Sequence, residues 1–168
     1  MTMTHDLPPP PDGYADRVPF VEEAADLVDV GPDYLGRDAF LTPGAASAWA
    51  AMRDAAQGEG IGLVMVSTFR SVARQAELVA AKLERGMSLE QALEYSAYPG
   101  FSEHHSGNAI DIGSDECRHL EEEFETTAAF DWLMRNAEKF GFALSYPRGN
   151  PHGIAYEPWH WCFHPASA

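Results

Sequence analysis

A single carboxylate lies within an otherwise apolar segment in the second half of the chain. Residues 108–113 alternate with the period of a β-strand, so that Asp111 faces away from the two isoleucines that flank it. A charged side chain rarely lies in such a segment unless it is paired with another polar group or bound to a metal. The chain is therefore constrained to fold in a way that brings polar partners to Asp111.

Two histidines are the candidate partners of Asp111. His104 lies seven residues before it, and Gly107 between them allows a sharp turn of the backbone. His160 lies 49 residues after it, in the aromatic-rich segment 156–164. Two imidazoles and a carboxylate are ligands that zinc takes in catalytic sites, where the fourth position stays open for water.

A second carboxylate accompanies these three residues. Glu157 lies three residues before His160, close enough to share the site without binding the metal. A histidine taken alone is more often a surface or satisfied core residue than a ligand. We therefore assign no function to the other five histidines, which are His5, His105, His119, His152 and His164.

Net charge limits the classes of partner. The chain has 168 residues, with 26 acidic and 11 basic side chains and a formal net charge of −15. This charge repels nucleic acid and anionic membrane surfaces. A neutral or locally cationic substrate, or one held by a buried arginine, fits better, and we expect the protein to be a monomer.

Targeting signals and cysteines give two further expectations. No segment has the length and hydropathy of a membrane span, and the N-terminus lacks the apolar core of a signal peptide. We expect a soluble protein that is cytoplasmic as encoded, or periplasmic or at the cell wall if a leader has been removed. Cys117 and Cys162 are too few for a disulfide framework. We expect two separate thiols, with a single bridge between them as the alternative.

The succession of caps, turns and apolar periods predicts one domain after a short arm. Four consecutive prolines, Pro8 to Pro11, indicate an extended N-terminal arm over residues 1–19, and residues 20–168 form the domain. The predicted helix N-caps are Thr42, Ser71, Ser88 and Thr127. The predicted strands are 61–67, 108–113, 142–146 and 156–164.

The predicted helices run over 45–56, 71–84 and 128–140, with a short helix after Ser88. In the last of the long helices, the residues predicted to face the core are Phe130, Leu133, Met134 and Ala137. Few connections look like parallel crossovers. We therefore predict an α+β fold with helices packed on a small, mainly antiparallel sheet.

Taken in order, these residues resemble a known family. The pattern Ser102-x-His104-x-x-Gly107-x-Ala109-x-Asp111, followed by Glu157-x-x-His160, looks like that of the VanY-type zinc D-alanyl-D-alanine carboxypeptidases. Relatives of that family include the VanX D,D-dipeptidases and, more distantly, the zinc fold of hedgehog signalling domains. Upstream, Ser67-Thr68-Phe69-Arg70-Ser71 is similar to the Ser-x-x-Arg-Ser stretch of the family, and Gln75 stands where its members often carry glutamine. The resemblance covers about residues 60–164.

The resemblance implies a role for each matching residue. Residues 20–168 would be a single zinc peptidase domain with one Zn²⁺ held by His104, Asp111 and His160. Glu157 would be the catalytic base, and Arg70 would act in catalysis and bind the substrate, at its carboxylate or at the oxyanion. The implied further substrate contacts are Ser102, Gln75 and Trp159. The alternative for Arg70 is a surface salt bridge, and the alternative for Trp159 is core packing.

The function implied by the resemblance is hydrolysis of the C-terminal D-Ala-D-Ala bond of peptidoglycan-type peptides. One alternative is a D,D-dipeptidase or L,D-carboxypeptidase acting on free or recycled cell-wall peptides. Another is a zinc-stabilised binding module without turnover, but a purely structural zinc requires neither Glu157 nor Arg70. A serine hydrolase is disfavoured because the chain has no Gly-x-Ser-x-Gly elbow.

Overall fold

In the computed structural model, which describes residues 6–165, the largest sheet has four antiparallel strands. The strands of the chain are β1 (Val28–Pro32), β2 (Asp38–Leu41), β3 (Leu63–Ser67), β4 (Ala109–Ser114), β5 (Phe142–Leu144) and β6 (His160–Phe163). The helices are α1 (Tyr14–Arg17), α2 (Pro43–Gly58), α3 (Val72–Glu84), α4 (Leu89–Tyr95) and α5 (Ala128–Asn136). Three 3₁₀ turns cover Glu103–Ser106, Glu122–Thr126 and Ala137–Phe140.

The strand order places the polar residues next to one another. The four-stranded sheet has the order β3-β4-β6-β5, and β1 pairs with β2 in a separate two-stranded sheet. Asp111 on β4 is the register partner of His160 on β6 and of Ser67 on β3. Register partners on antiparallel strands point to the same face of the sheet. The predicted α+β fold with a small antiparallel sheet is confirmed.

Side-chain caps begin the helices where the sequence predicts them. Thr42 and Ser71 accept hydrogen bonds from the backbone N–H groups of Ala45 and Arg74 at 3.3 and 3.0 Å. Ser88 forms a complete capping box with Gln91. Thr127 caps α5 as Thr42 and Ser71 cap their helices, because its side chain accepts a hydrogen bond from the backbone N–H of Phe130. These caps satisfy N–H groups that have no partner inside the helix.

The apolar core lies on the isoleucine side of β4. Its buried members from the helices and strands include Trp49, Met52, Ile110, Ile112, Phe124, Trp132, Leu133, Phe142 and Trp161. Full burial of one such side chain contributes about 1.5–3 kcal/mol to the free energy of folding. Because Trp161 follows His160 on β6, it points into this core while His160 points to the opposite face. The core therefore fixes the orientation of the polar face.

The N-terminal arm, which was predicted to be extended, contains one turn of helix. Residues 1–5 lie outside the described part of the chain, but Tyr14–Arg17 form α1 rather than an extended segment. Tyr14 and Val18 are buried against Leu93, and Tyr14 Oη accepts a hydrogen bond of 2.9 Å from the backbone N–H of Tyr98. Tyr14 and Val18 are four residues apart, and one helical turn between them brings both side chains to the same face.

Two further predictions are corrected by the structure. The segment 128–140 is α-helical only to Asn136, and Met134 is 56% exposed rather than buried. The bulky ring of Trp132 occupies the buried face of the helix, which turns Met134 towards solvent. The last strand begins at His160 rather than at residue 156, so Glu157 lies before it. Pro158, which follows Glu157, has no N–H group to donate to a neighbouring strand.

Cys117 and Cys162 are separate thiols, as predicted. Among residues 6–165, no helix combines the length and the apolar character that crossing a bilayer requires.

Candidate active site

His104, Asp111 and His160 meet on the polar face of the sheet. Asp111 Oδ1 lies 3.2 Å from His104 Nε2 and 3.1 Å from His160 Nδ1. One ligand atom from each of the three residues lies within 4.8 Å of the others, and all three side chains are buried. The two imidazole rings are nearly perpendicular, with centroids 5.0 Å apart. Three donor atoms therefore converge from two strands and one 3₁₀ turn.

The turn that carries His104 depends on its two flanking residues. Ser102 caps it, because its Oγ accepts a hydrogen bond of 3.2 Å from the backbone N–H of His104. Gly107 ends it with φ of 73°, a left-handed conformation that favours glycine. A Cβ atom at this position would lie 2.7 Å from Leu27 Cδ2. A larger residue here would therefore strain the backbone and displace Leu27.

A backbone carbonyl selects the tautomer of His104. Its Nδ1 lies 2.7 Å from the carbonyl oxygen of Thr68, which can only accept a hydrogen bond. Nδ1 therefore carries a proton, and Nε2 is the nitrogen that faces Asp111 and is available to a cation. Burial lowers the pKa of His104, although the charge of Asp111 acts in the opposite direction. Burial thus favours the neutral imidazole, which is the form that binds metals.

The charges of the other two residues are also set by their neighbours. Burial would raise the pKa of Asp111, but the charges and hydrogen bonds of His104 and His160 outweigh it and hold the pKa far below its usual range. Burial would lower the pKa of His160, but hydrogen bonds to Asp111 and Glu103 outweigh it and raise the pKa to about 10. A buried carboxylate that contacts two imidazoles fits the donor set of a zinc site.

Glu157 lies beside these three residues. Its Oε2 is 3.7 Å from His160 Nδ1, and its side chain is 13% exposed. Its backbone N–H donates a hydrogen bond of 3.0 Å to the carbonyl of Tyr146, which fixes the segment before β6. Burial raises the pKa of Glu157 to about 7, although the positive charge of His160 opposes the rise. A carboxylate with this pKa can both accept and release a proton near neutral pH.

Arg70 is half-buried, lies three residues after the end of β3, and is fixed at its guanidinium group. Its Nη1 donates to Gln75 Oε1 at 2.9 Å and its Nη2 donates to Ser67 Oγ at 3.0 Å. Gln75 is itself buried and donates from Nε2 to the carbonyl of Ala97 at 2.8 Å. Burial lowers the pKa of Arg70, while the charges of Asp111 and Glu157 raise it. Gln75 therefore lies beside Arg70 and orients it, and Arg70 is not a surface salt bridge.

His105, to which the sequence assigned no function, holds the backbone of Arg70. Its ring is fully buried, and its Nε2 accepts a hydrogen bond of 3.1 Å from the N–H of Gly100. Its Nδ1 therefore carries the proton and donates to the carbonyl of Arg70 at 2.8 Å. The N–H of Arg70 in turn donates to the carbonyl of His104 at 3.1 Å. The adjacent pair of histidines was the only sequence signal that could have indicated this contact.

Glu103 is a second residue of the site that the sequence did not predict. Its Oε2 lies 3.2 Å from His160 Nε2 and accepts a hydrogen bond of 2.8 Å from Ser145 Oγ. Burial would raise the pKa of Glu103, but the hydrogen bond and charge of His160, with help from Ser145 and Cys162, lower it to about 2. Its position next to His104 in the sequence gave no indication that it contacts the distant His160.

A pocket of about 950 Å³ opens over the three converging residues. Arg70, Glu157 and the three predicted contacts Ser102, Gln75 and Trp159 line it. Trp159 also packs against the main core, so it belongs to both environments. The residues that extend the pocket along α3, α4 and the 3₁₀ turn at Glu122–Thr126 are Leu78, Ala81, Lys82, Arg85, Tyr95, Glu121, Glu122 and Glu123. A volume of this size accommodates ligands larger than a dipeptide.

Comparison with known families matches most of the chain. The family described as VanY, D-alanyl-D-alanine carboxypeptidase, matches residues 38–166. The Bacillus subtilis (strain 168) protein YodJ is 42% identical over 129 residues, which cover 72% of this chain and 45% of YodJ. The bifunctional D-Ala-D-Ala dipeptidase and carboxypeptidase VanXYC of Enterococcus gallinarum is 32% identical over 136 residues, 76% of this chain and 68% of that protein. The chain thus spans about half the length of YodJ.

Solved structures have the same fold. The LdcB LD-carboxypeptidase superposes with a TM-score of 0.75 and 35% identity, over 84% of this chain and 69% of that one. VanYB, solved in complex with D-alanine-D-alanine, gives a TM-score of 0.66 and 25% identity, over 87% and 81% of the two chains. A VanY D,D-pentapeptidase variant solved in complex with Zn(II) gives a TM-score of 0.63 and 27% identity, over 83% and 79%.

Proposed function

The chain belongs to the VanY family of D-alanyl-D-alanine carboxypeptidases, and on this premise we propose that it is a zinc-dependent carboxypeptidase acting on peptidoglycan-type peptides. The bond cleaved is the C-terminal D-Ala-D-Ala bond. The proposal depends on one observation. His104, Asp111 and His160 converge beside the carboxylate of Glu157 in an open pocket. A structural metal site needs neither the fourth polar residue nor the pocket.

His104 Nε2, Asp111 Oδ1 and His160 Nδ1 are the atoms that would hold the ion. When bound, zinc supplies a Lewis acid that makes water more acidic and polarises a carbonyl group. Asp111 Oδ1 lies 3.2 Å from His104 Nε2 and 3.1 Å from His160 Nδ1, and one ligand atom from each of the three residues lies within 4.8 Å of the others. The sheet register and the buried core therefore fix the ligand arrangement in advance, which reduces the cost of binding.

Glu157 is the proposed general base. Its carboxylate lies on the pocket side of the three ligands and has a pKa of about 7, raised by burial. In the ionised form it accepts a proton from the attacking water, and it then donates that proton to the leaving amine of the C-terminal residue. General acid–base groups of this kind contribute about 10²–10⁴-fold to the rate.

Arg70 is the proposed substrate contact. Gln75 and Ser67 use one N–H of each terminal nitrogen of its guanidinium group, which leaves further donors free in the pocket. A guanidinium group can bind a peptide carboxylate with two hydrogen bonds or stabilise the oxyanion of the transition state. Ser102 and Trp159 complete the wall near the three ligands, and Gln75 acts through Arg70.

A second candidate activity is L,D-carboxypeptidase. The similarity to the LdcB LD-carboxypeptidase favours it, and the pocket volume of about 950 Å³ favours a tetrapeptide or pentapeptide over a free dipeptide. The two activities differ in the configuration of the residue before the scissile bond. The pocket wall formed by α3 and α4 is the region that would contact this residue and those before it.

Release of D-alanine from a substrate series tests the proposal. The zinc-loaded protein is incubated with D-Ala-D-Ala, with a tetrapeptide ending in L-Lys-D-Ala and with a pentapeptide ending in D-Ala-D-Ala. We expect the pentapeptide to be cleaved fastest, and cleavage to stop after dialysis against EDTA and to return with zinc. Preferred cleavage of the tetrapeptide would assign the second candidate, and no release from any peptide would reject the proposed enzyme.

A further inference from the structure

Glu103 contacts His160 from the side opposite to the pocket. Its Oε2 lies 3.2 Å from His160 Nε2, whereas Asp111 contacts Nδ1 of the same ring at 3.1 Å. Glu103 lies among residues of a separate small cavity of about 20 Å³, together with Val18 and His152, rather than on the wall of the large pocket. The side chain of Glu103 therefore reaches the site through His160 rather than through the substrate pocket.

The contact between Glu103 and His160 defines where the ring proton lies. A carboxylate oxygen with two donors beside it accepts hydrogen bonds from them. Ser145 Oγ donates one hydrogen bond of 2.8 Å to the same carboxylate oxygen, which holds Glu103 in place. The proton shared with Glu103 therefore stays on Nε2 of the ring, so Nδ1, which faces Asp111, is the nitrogen that gives up its proton to a cation.

We propose that Glu103 is a positioning residue that holds His160 as the Nε2–H tautomer and so directs the lone pair of Nδ1 towards the bound cation. This inference rests on the proposed zinc site. The carbonyl of Thr68 has the corresponding role for His104, where it holds Nδ1–H and leaves Nε2 free. The two imidazoles thus present different nitrogens, and a different acceptor selects each one.

The charge of Glu103 adds to its role as an acceptor. A carboxylate hydrogen-bonded to a ligating histidine makes the imidazole a stronger base and a better ligand, which a backbone carbonyl does to a lesser degree. Glu103 precedes His104 in the same 3₁₀ turn. One turn of the chain therefore supplies one ligand and orients another that lies 57 residues away.

Zinc affinity of two Glu103 variants tests the inference. Zinc dissociation constants are measured by competition with a chromogenic chelator for wild type, Glu103→Gln and Glu103→Ala. We expect Glu103→Ala to lower the zinc affinity by about 10–100-fold, the usual range for residues that are hydrogen-bonded to a metal ligand. The glutamine variant keeps an acceptor but loses the charge, so its loss is smaller, about 3–10-fold. Glu138→Gln, at an exposed position in another 3₁₀ turn, is the matched control with wild-type affinity.

The protonation of the His160 ring, observed by NMR, distinguishes an effect of Glu103 on the tautomer from an effect on protein stability. With ¹⁵N-labelled histidine, we expect the zinc-loaded wild type to show a protonated Nε2 at His160, and Glu103→Ala to show a weakened or exchanging Nε2–H signal. Ser145→Ala reports the structural contribution, because it removes a hydrogen bond to Glu103 but leaves the contact with His160.

Three outcomes would overturn the inference or its premise. If wild type binds no zinc, the proposed function fails together with it. If wild type binds zinc and both Glu103 variants bind within twofold of it, only the inference fails. If Ser145→Ala loses as much affinity as Glu103→Ala while its His160 signal is unchanged, the role of Glu103 is structural, and the inference fails. Should the alanine variant not fold, the nearly isosteric glutamine variant gives the same comparison.

Discussion

Asp111 and His160 are register partners on neighbouring antiparallel strands, and their side chains meet with Oδ1 3.1 Å from Nδ1. The strands also carry Ile110 and Trp161, which point into the apolar core on the other side of the sheet. Because a shift of one residue would turn every side chain to the opposite face, the core holds the polar pair in register. The geometry of the site is thus a consequence of apolar packing.

Replacing Glu157 by glutamine should separate catalysis from metal binding. The amide cannot accept a proton, and we expect the rate of D-alanine release to fall by about 10²–10⁴-fold. The zinc content should stay at one ion per chain, because His104, Asp111 and His160 are unchanged. The measurement combines metal analysis with D-alanine release, and Glu116→Gln, at an exposed position, serves as the control. A variant that retains the wild-type rate would remove Glu157 from the mechanism.

Replacing Arg70 by lysine should lower kcat/KM although the charge is conserved. A lysine ammonium group cannot reproduce the two hydrogen bonds to Gln75 and Ser67 or present a planar fork to the substrate. We expect a loss of about 10²–10³-fold, the range for a single oxyanion donor. An effect on kcat indicates a role at the oxyanion, and an effect on KM indicates binding of the substrate carboxylate.

The matched control for Arg70 is Arg74→Lys. Arg74 lies on the exposed face of α3, where it pairs with Glu77 at 2.7 Å. We expect kcat/KM of this control to stay within about twofold of wild type, because surface ion pairs contribute little. Equal losses in the two variants would show that Arg70 has no specific role.

Zinc binding should release a proton from His160. The pKa of His160 is about 10 in the metal-free protein, because hydrogen bonds to Asp111 and Glu103 outweigh the effect of burial. The ring is therefore protonated at pH 8, whereas a metal ligand must be neutral. We expect release of about one proton per zinc ion, measured by titration calorimetry in two buffers with different protonation enthalpies.

The sign of the pH dependence follows from the same pKa. Zinc competes with the proton on His160 only below a pH of about 10, so the apparent affinity rises with pH in that range. The expected slope is about tenfold per pH unit for a single proton. An affinity that is constant between pH 7 and pH 9 would contradict protonation of His160 in the metal-free site.

Gly107→Ala should destabilise the protein more than the same change at a second left-handed glycine. A Cβ atom at Gly107 would lie 2.7 Å from Leu27 Cδ2, whereas none of the described atoms lies within 4 Å of that position at Gly149. Both residues have φ near 70°, so both variants carry the backbone cost of about 1 kcal/mol. We expect Gly107→Ala to cost about 1–3 kcal/mol more, measured by urea unfolding of the zinc-loaded proteins. Equal free energies of unfolding would show that Leu27 adapts without cost.

Local signals in the sequence determined most of the framework. The caps at Thr42, Ser71, Ser88 and Thr127 are confirmed, and so is the α+β class, because capping and apolar periodicity depend on residues within a few positions of one another. The sequence also singled out His104, Asp111 and His160, which the structure brings together, and their role as zinc ligands stays a prediction. The lone charge in an apolar strand was the signal that made this possible.

Only the tertiary structure determined which residues contact the candidate ligands and Arg70 and hold them in place. Glu103 reaches His160 across 57 residues, and His105 holds the carbonyl of Arg70 across 35 residues. Such contacts depend on the pairing of β4 with β6 and on the position of the 3₁₀ turn, which no short window of sequence encodes. The exposure of Met134 has the same origin, because packing around Trp132 selected the buried face of α5. Short-range patterns therefore gave the elements and the candidate ligands, whereas long-range packing selected their partners.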